Sequence, residues 1–334
     1  MKPYLVDVPV RVAIWIRTDC QRKQFEVLKK ARPSVLFLQS DGGRNETEWE
    51  AIRKNRSIFE TEIDWDCTVY KLYEEENLGL YTMGAKVARF IWERVDRCIF
   101  LEDDILPSAS FFQYCADLLE KYKDDYRVSR ICGMNHMGRC ENVSTDYFFS
   151  RHGSVWGTAT WRRTYVMRDW NFNYGNDPYV MGLLRENAKN NHFFLKKAEG
   201  YVRNKYHENH VAGGEFFHGF AVYGYHQLQI IPKVNLVSNI GCTADAAHSA
   251  SLKLLAKGTQ RMFNMPVYEM SFPMKHMEYM IPDIAYEKRV EKIGGYNSLL
   301  TTFYRRLEHY VRVMLYGNTW ERIKKRIKKK RIET

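Results

Sequence analysis

The chain has 334 residues, of which 45% are hydrophobic and 14% aromatic. This composition excludes a disordered protein, and the length allows one large α/β domain with an appendage or two domains. The formal net charge is +11, but residues 319–334 hold eight Lys or Arg against two Glu and supply +6 of it. A basic tail on a nearly balanced body argues against a nucleic-acid partner.

Targeting and redox signals are sparse. Arg11 and Arg17 precede any apolar run typical of a signal peptide, and eighteen consecutive apolar residues occur nowhere. The 7 cysteines are widely spread without a C-x-x-C pair, which favours reduced thiols over a disulfide framework or zinc site. We therefore expect a cytoplasmic protein that does not span a membrane.

Apolar runs alternate with helical patterns along the first 135 residues. Strands are predicted at 10–16, 34–39, 67–73, 98–104 and 127–135, and helices at 22–31, 83–95 and 108–125. Each strand is an unbroken apolar run, which indicates a mostly parallel sheet with helices on both faces. Ser108 or Ser110 is expected to cap the third helix. The fold class predicted is an open, Rossmann-like α/β fold.

The second half of the chain is less regular. Residues 147–175 are dense in aromatic side chains, and a helix is predicted over 220–231. After an irregular stretch, residues 298–316 form a helical pattern with an apolar stripe at Phe303, Leu307, Tyr310, Val311 and Met314. We therefore expect a domain over 1–255 and a C-terminal helical extension over 256–334.

Polar clusters follow three of the predicted strands. They are Arg17-Thr-Asp, Ser40-Asp-Gly-Gly-Arg and Glu102-Asp103-Asp104. Ligands of such sheets bind outside the carboxyl ends of the strands, where connecting loops converge. Each cluster alone could be a cap or a turn, but three at one edge favour a binding site.

The acidic run at 102–104 directly follows the apolar residues Cys-Ile-Phe-Leu. Carboxylates at a strand end can hold Mg²⁺ or Mn²⁺ while a diphosphate supplies further ligands, and the alternative is a solvated acidic loop. A G-x-x-x-x-G pattern at 79–86 lacks the Lys-Ser/Thr that a phosphate-binding loop requires. We interpret it as a loop and helix start.

Four histidines and one glutamate are weaker candidates. His248 lies beside Asp245 in a small-residue loop, and Glu215 follows two glycines that would let a ligand approach the backbone. His210, His218 and His226 could equally be structural residues, and Glu215 could simply begin a helix.

The basic tail has an amphipathic pattern. Trp320, Ile323 and Ile327 share one face of a predicted helix, and cations surround the rest. This pattern is typical of an interfacial helix on anionic lipid, and the alternatives are a disordered tail or a nucleic-acid arm. Residues 319–331 are thus expected to hold the protein on the inner face of the cell membrane.

A combination of motifs carries a family resemblance. They are SDGGR, IDWDC, ENLG, CIFLEDDILPSASFFQYC, ICGMN, SVWGTATWRR and PKVNLVSNIG followed by DAAHS. In this order they resemble bacterial nucleotide-diphospho-sugar transferases of the GT-A fold, the group often labelled hemolytic-protein-like. More distantly they resemble N-acetylglucosaminyltransferase I. The similarity runs from about residue 10 to residue 250.

The resemblance implies roles for individual residues. Asp104 would bind Mn²⁺ or Mg²⁺, with His248 also near the metal or the diphosphate. The residues implied to bind the donor nucleotide are Arg17, Asp41, Arg44, Glu102 and Asp103. Trp156 and Trp161 are implied to line the acceptor side. Glu215 would be the catalytic base, although the family commonly has Trp-Asp where this chain has Gly214-Glu215.

The predicted function is a metal-dependent, inverting hexosyl- or N-acetylhexosaminyltransferase. It would move a sugar from a nucleotide-sugar, with UDP favoured, to a glycan or lipid-linked acceptor in cell-surface polysaccharide synthesis. Two alternatives remain open: a nucleotidyltransferase that makes an activated sugar, and a non-catalytic nucleotide-binding protein.

Overall fold

The computed structural model describes residues 1–204, 212–242, 250–295 and 298–316. The strands in this part of the chain are β1 (Val6–Ile14), β2 (Pro33–Ser40), β3 (Thr68–Tyr73), β4 (Arg97–Leu101), β5 (Ile105–Pro107), β6 (Val128–Cys132), β7 (Tyr147–Ser150), β8 (Thr158–Trp161), β9 (Leu228–Pro232) and β10 (Val237–Asn239).

The helices of the same part fall into an early and a late group. The early group is α1 (Thr18–Ala31), α2 (Glu46–Thr61), α3 (Leu80–Trp92), α4 (Ser110–Lys121), α5 (Arg162–Val166) and α6 (Pro178–Asn187). The late group is α7 (His192–Asn204), α8 (Gly214–Gly224), α9 (Ala250–Leu254), α10 (Lys257–Gln260), α11 (Ile284–Gly294) and α12 (Leu299–Tyr316).

Eight strands form one sheet in the order β3-β2-β1-β4-β8-β6-β9-β7. Strands β1 to β4 are mutually parallel, whereas β8 runs antiparallel to both β4 and β6. A second, two-stranded sheet pairs β5 with β10. The chain leaves β1 toward β2 on one side and returns to β4 on the other, so a topological switch point lies at the carboxyl ends of β1 and β4.

Helices cover both faces of the sheet, as predicted. Alternate residues of β1, including Val10 and Val12, join the core that contains Phe25 of α1 and Phe111 of α4. On the opposite face, Phe37 of β2 packs with Ile91 of α3 in a separate cluster. Strands buried on both sides need apolar residues at consecutive positions, which explains the unbroken runs in the sequence. The α/β fold class is confirmed.

A second core forms in the aromatic part of the chain. Phe172 stacks on Tyr201 of α7, with ring centroids 4.9 Å apart, and contacts Phe216 of α8. This cluster joins α6, α7 and α8 through buried aromatic side chains. It forms a helical layer beside the sheet, held mainly by ring packing.

The C-terminal residues pack onto the sheet domain. Met270 and Met274 belong to the main core, and Tyr286 of α11 contacts Phe148 of β7 at a ring distance of 4.9 Å. The division at residues 255 and 256 stays a prediction. The five buried cysteines form no disulfide bonds. None of the described helices combines the length and hydropathy that crossing a membrane requires.

Two local predictions were wrong. The helix expected over 220–231 ends at Gly224, and β9 begins at Leu228. His226 between them has φ 54°, which ends the helix. Neither Ser108 nor Ser110 caps α4 with its side chain. The carboxylate of Glu269 instead accepts hydrogen bonds from Ala109 N (3.1 Å) and Ser110 N (2.8 Å), a contact from 160 residues away.

Candidate nucleotide and metal site

The carboxyl ends of β1, β2 and β4 border a cavity of about 280 Å³. Four residues predicted from the sequence line it, namely Asp41, Arg44, Glu102 and Asp103. The remaining lining residues come from the strand ends and from the start of α3: Ala13, Ile14, Trp15, Gln39, Asn77, Gly79, Leu80 and Met83. The polar clusters after the three strands therefore do meet at one edge of the sheet.

Two arginines from the β1 region neutralise the acidic run. Arg17 Nη1 lies 2.8 and 2.9 Å from the two carboxylate oxygens of Asp103 and 3.3 Å from Asp104 Oδ2. Arg11, buried in β1, donates to Glu102 Oε1 from Nη1 and Nη2, both at 3.1 Å. Each negative charge of the run thus has a guanidinium neighbour, which relieves the repulsion among adjacent carboxylates.

Two glutamines of α1 hold the turn that carries the acids. Gln24 Nε2 donates to the carbonyl oxygens of Glu102 (2.9 Å) and Ile105 (2.7 Å), and Gln21 Nε2 donates to that of Asp103 (3.5 Å). Both glutamines are fully buried. Buried amides that bond to backbone carbonyls fix the turn, so the carboxylates have little freedom to move away from the cavity edge.

Burial of the acids changes their protonation. Burial raises the pKa of Asp103 to about 6 against the opposing effect of Arg17, and Asp104 and Glu102 raise it further. Burial likewise raises the pKa of Asp104. The pKa of Arg17 is raised, because its carboxylate neighbours outweigh the lowering by burial. The electrostatic field at this turn therefore favours additional positive charge.

Asp104 also contacts the turn after β10. Ile240 N donates to the Asp104 carbonyl oxygen at 2.9 Å, and the carboxylate lies against Gly241. A Cβ at Gly241 would collide with the Asp104 carboxylate, so glycine is required there for close approach. The predicted ligand His248 follows this turn but lies outside the described residues.

The geometry of Asp103 and Asp104 fits a hard divalent cation. Their carboxylates approach the same guanidinium nitrogen of Arg17 within 3.3 Å, so they converge on one position suited to positive charge. Oxygen ligands of this kind suit Mn²⁺ and Mg²⁺. Across the described part of the chain, no group of three or more His, Cys, Asp or Glu could hold a metal. A bound ion would therefore need ligands beyond these two aspartates.

Asp41 organises the wall of the cavity. Its carboxylate accepts hydrogen bonds from Leu78 N (2.8 Å), Gly79 N (2.9 Å) and Gly42 N (3.0 Å). These bonds hold the loop before α3 against the end of β2, and Gly42 leaves room for the backbone of Glu76. Most acceptor capacity of Asp41 is used within the protein, so base recognition by this residue stays a prediction.

Sequence reasoning missed Trp15, which follows β1 directly and lines the cavity. The guanidinium of Arg44 lies 5.9 Å from the Trp15 ring and also pairs with Glu48 at 2.6 Å. Trp15, Leu80 and Met83 supply apolar side chains to the lining of the cavity. The signal in the sequence was an aromatic residue at a strand end, but its direction depended on the strand register.

The catalytic and acceptor candidates lie outside this cavity. Glu215 lies in the first turn of α8, where its half-exposed carboxylate is 3.5 Å from Lys197 Nζ. Trp156 is partly buried and packs on Phe263 at 4.9 Å. Trp161 is buried in the main core and donates from Nε1 to the Leu119 carbonyl oxygen at 3.0 Å. Only Trp156 of this pair has surface left for an acceptor.

No protein-family model matches the chain, and no curated protein does. Among solved structures it is similar to the mannosyltransferase PcManGT from Pyrobaculum calidifontis in complex with GDP-Man and Mn²⁺, with 10% identity, 66% of this chain and 72% of that chain covered, and TM-score 0.36. It is also similar to mouse xyloside xylosyltransferase 1 in apo form, with 12% identity, 67% of this chain and 84% of that chain covered, and a TM-score of 0.35. A third similar structure is a UDP-glucose pyrophosphorylase complexed with UDP-glucose, with 11% identity, 48% of this chain and 77% of that chain covered, and a TM-score of 0.28. Because these similarities are low, the function is inferred from the geometry of the site.

Proposed function

We propose that the protein is a metal-dependent, inverting glycosyltransferase that uses a nucleotide-diphospho-sugar. One observation carries this proposal: Asp103 and Asp104 converge on a single cation position at the rim of a cavity at the switch point of the sheet. A volume of about 280 Å³ is near the lower end of small-molecule sites, about 300 Å³. That size suits a nucleoside, with the diphosphate directed toward the acids.

The charges at the rim require a cation before a diphosphate can bind. The three acids and their two arginine partners leave one uncompensated negative charge when all five are ionised. A diphosphate added to this site would meet net repulsion. A bound Mn²⁺ or Mg²⁺ would supply the positive charge that offsets the diphosphate as it becomes a leaving group. Asp104, with Asp103, would hold the ion.

The two walls of the cavity divide donor recognition. Trp15, Leu80 and Met83 offer apolar surface for the face of a nucleobase. Arg44 offers a guanidinium to its edge, and Asn77, whose amide nitrogen donates within the protein, offers its side-chain oxygen as an acceptor. Asp41 positions the loop that carries Asn77, so its contribution would be to shape the nucleotide pocket. Arg17, released from the aspartates, would contact the donor phosphates.

Glu215 is the proposed catalytic base. It would take the proton of an acceptor hydroxyl as that oxygen bonds to the anomeric carbon. The bond from the anomeric carbon to the phosphate oxygen breaks, and the nucleoside diphosphate leaves with the electron pair. Attack opposite the leaving group inverts the anomeric configuration. The exposed position of Glu215 at the start of α8 supports access to an acceptor.

The proposal also covers the acceptor substrate and the location of the protein. The acceptor would be a glycan or a lipid-linked sugar in cell-surface polysaccharide synthesis, and the transferred group a hexose or an N-acetylhexosamine. Trp156 would contribute apolar surface on the acceptor side. The basic residues at 319–331, which lie outside the described residues, would hold the protein on the anionic inner face of the membrane.

Isothermal titration of UDP and of GDP, with and without Mn²⁺, tests the donor site. We expect one nucleotide to bind at least about tenfold tighter with Mn²⁺, and Asp104→Asn to lose that gain, because the neutral amide is a poor cation ligand. Asp64→Asn is the matched control, since Asp64 pairs with Lys2 away from the cavity. Wild-type protein without metal-dependent nucleotide binding would overturn the proposal.

A second assay separates the two enzyme classes. Nucleotide-sugars are screened for metal-dependent hydrolysis and transfer, and pyrophosphate is then added to parallel reactions. A glycosyltransferase releases nucleoside diphosphate whether or not pyrophosphate is present. Formation of nucleoside triphosphate and sugar 1-phosphate from pyrophosphate would instead identify a nucleotidyltransferase.

A further inference from the structure

Helix α12 has its apolar face turned away from the protein. Phe303 is 61% exposed, Tyr310 64% and Met314 62%. The spacing of its exposed apolar side chains places them on one continuous stripe, which consists of Leu300, Phe303, Tyr304, Leu307, Tyr310, Val311 and Met314. A helix on a globular protein normally buries such a stripe, and contiguous exposed apolar surface of this kind marks a binding surface.

Polar side chains hold the helix in this orientation. Glu308 accepts hydrogen bonds from Arg305 Nη1 (3.1 Å), Arg312 Nε (2.9 Å) and the backbone N of Lys257 (2.9 Å). Arg305 Nη2 also donates to the Ile293 carbonyl oxygen at 3.2 Å, and Arg312 Nη1 to that of Lys253 at 3.2 Å. The inner face of α12 is thus its charged face, and these bonds set which side faces outward.

The charge around the stripe favours one kind of partner. Glu308 is the only acid of α12, and it is turned inward and paired. The sequence that follows carries eight Lys or Arg between residues 319 and 334. An apolar stripe that includes tyrosines, free of outward acids and followed by a dense run of cations, matches the interface of an anionic bilayer. Two copies of the chain packed through this face would bring two such cationic runs together.

We propose that the outward face of α12 inserts into the headgroup boundary of an anionic lipid membrane. Its apolar side chains enter the acyl boundary, and the tyrosine hydroxyls stay at the headgroup level. This surface lies on a helix that is hydrogen-bonded to other segments of the protein, so it orients the bound protein in addition to any attraction by the basic tail. The proposal does not depend on the transfer reaction.

Vesicle sedimentation with the full-length chain tests this surface. Vesicles of phosphatidylcholine alone are compared with vesicles that contain phosphatidylglycerol. We expect binding to the anionic vesicles, and we expect the double variant Leu307→Glu/Met314→Glu to reduce the partition coefficient at least about tenfold, because carboxylates on the stripe resist insertion and are repelled by anionic headgroups. The tail sequence is unchanged in this variant.

Ala285→Glu is the matched control, since it adds a carboxylate at an exposed position of another helix, α11. Circular dichroism and the melting temperature establish that both variants fold. Full binding by the double variant would assign all affinity to the tail and overturn the proposal. It would equally be overturned if wild type ignored anionic vesicles, or if light scattering showed a dimer that the double variant separates.

Discussion

The acidic turn after β4 and the helix α12 violate the usual distribution of polarity in opposite directions. At the turn, the carboxylates of Asp103 and Asp104 are largely buried, with side-chain exposures of 12% and 16%. At α12, Phe303, Tyr310 and Met314 are more than half exposed. Proteins rarely bury charge or expose contiguous apolar surface without a reason.

Arginine has a different role in each region. At the turn, Arg17 occupies the position where a bound cation would satisfy both aspartates, so it stabilises the site in the absence of ligand. At α12, Arg305 and Arg312 donate to the backbone carbonyl oxygens of other segments, which anchors the helix and leaves its apolar face exposed. Contacts within the protein hold both regions in place, and each region is proposed to bind a partner.

The largest effect is expected at the proposed catalytic base. Glu215→Gln removes the proposed base and should lower transfer by about 10²- to 10⁴-fold, the usual contribution of general base catalysis. Donor affinity, measured by titration with Mn²⁺, should change less than about twofold because Glu215 does not line the cavity. Glu199→Gln on α7, which removes a surface pair with Arg185, is the control. Retained transfer by Glu215→Gln would remove this residue from the mechanism.

His136 is a buried titratable side chain whose partner, Tyr286, lies within the protein. His136 bonds to the Tyr286 hydroxyl, and burial, with His152 and Arg130 nearby, lowers its pKa to about 4. Between pH 6.5 and 4 the unfolded chain binds a proton that the folded protein does not, so stability is full above pH 6.5 and falls as pH decreases. Between pH 7 and pH 5 this residue should lower the free energy of unfolding by about 2 kcal/mol.

Urea unfolding at pH 7 and pH 5 measures this effect. His136→Gln keeps a hydrogen-bonding side chain but does not titrate, so its free energy of unfolding should depend less on pH than that of wild type. Nucleotide binding at pH 7 should be unchanged in the variant. An identical pH dependence in both proteins would show that His136 is not responsible.

Strand positions near the site followed from the sequence, but the neutralising arginine did not. The runs at 34–39 and 67–73 correspond to β2 (Pro33–Ser40) and β3 (Thr68–Tyr73). Arg11 lies in the strand predicted at 10–16, and no role in the site was predicted for it. Its role depends on the register between β1 and β4, which pairs Arg11 with Phe100 and so brings its guanidinium to Glu102. Register between strands ninety residues apart is a tertiary property.

Helix signals were clear at some places and overlooked at others. Residues 298–316 correspond closely to α12, yet the direction of its apolar stripe could not be predicted, because periodicity identifies a face and not what the face contacts. Helix α2 was missed although Asn45 caps Glu48 N at 3.0 Å, a capping pattern visible in the sequence. The cap of α4 could not be found locally, because Glu269 is distant in the chain.

Arg17 provides a direct test of the proposed cation position at the acidic turn. If it substitutes for a cation at the turn, Arg17→Ala should bind Mn²⁺ about tenfold tighter than wild type in the absence of nucleotide, since the ion no longer competes with a guanidinium. Arg22→Ala, on the helix α1 that Arg17 precedes, removes an equal charge, but from a surface pair with Glu62. Electron paramagnetic resonance of free Mn²⁺ measures the affinity. Weaker binding by Arg17→Ala would make Arg17 a support for the ion rather than its competitor.

The smallest effect is expected at the anchor of α12. Glu308→Gln weakens the contacts with Arg305, Arg312 and the Lys257 amide, and because these groups are partly exposed the cost should be about 1 kcal/mol. Hydrogen exchange of the α12 amides should quicken about fivefold, while global unfolding changes little.

Arg306→Gln, at an exposed position of the same helix, should leave exchange unchanged. Because Glu308→Gln keeps the apolar stripe, it should still bind anionic vesicles. Slower exchange in Glu308→Gln would mean that the helix becomes more stable by turning its apolar face inward. The contacts of Glu308 would then oppose burial of the stripe. Unchanged exchange would mean that contacts other than Glu308 fix the orientation of α12.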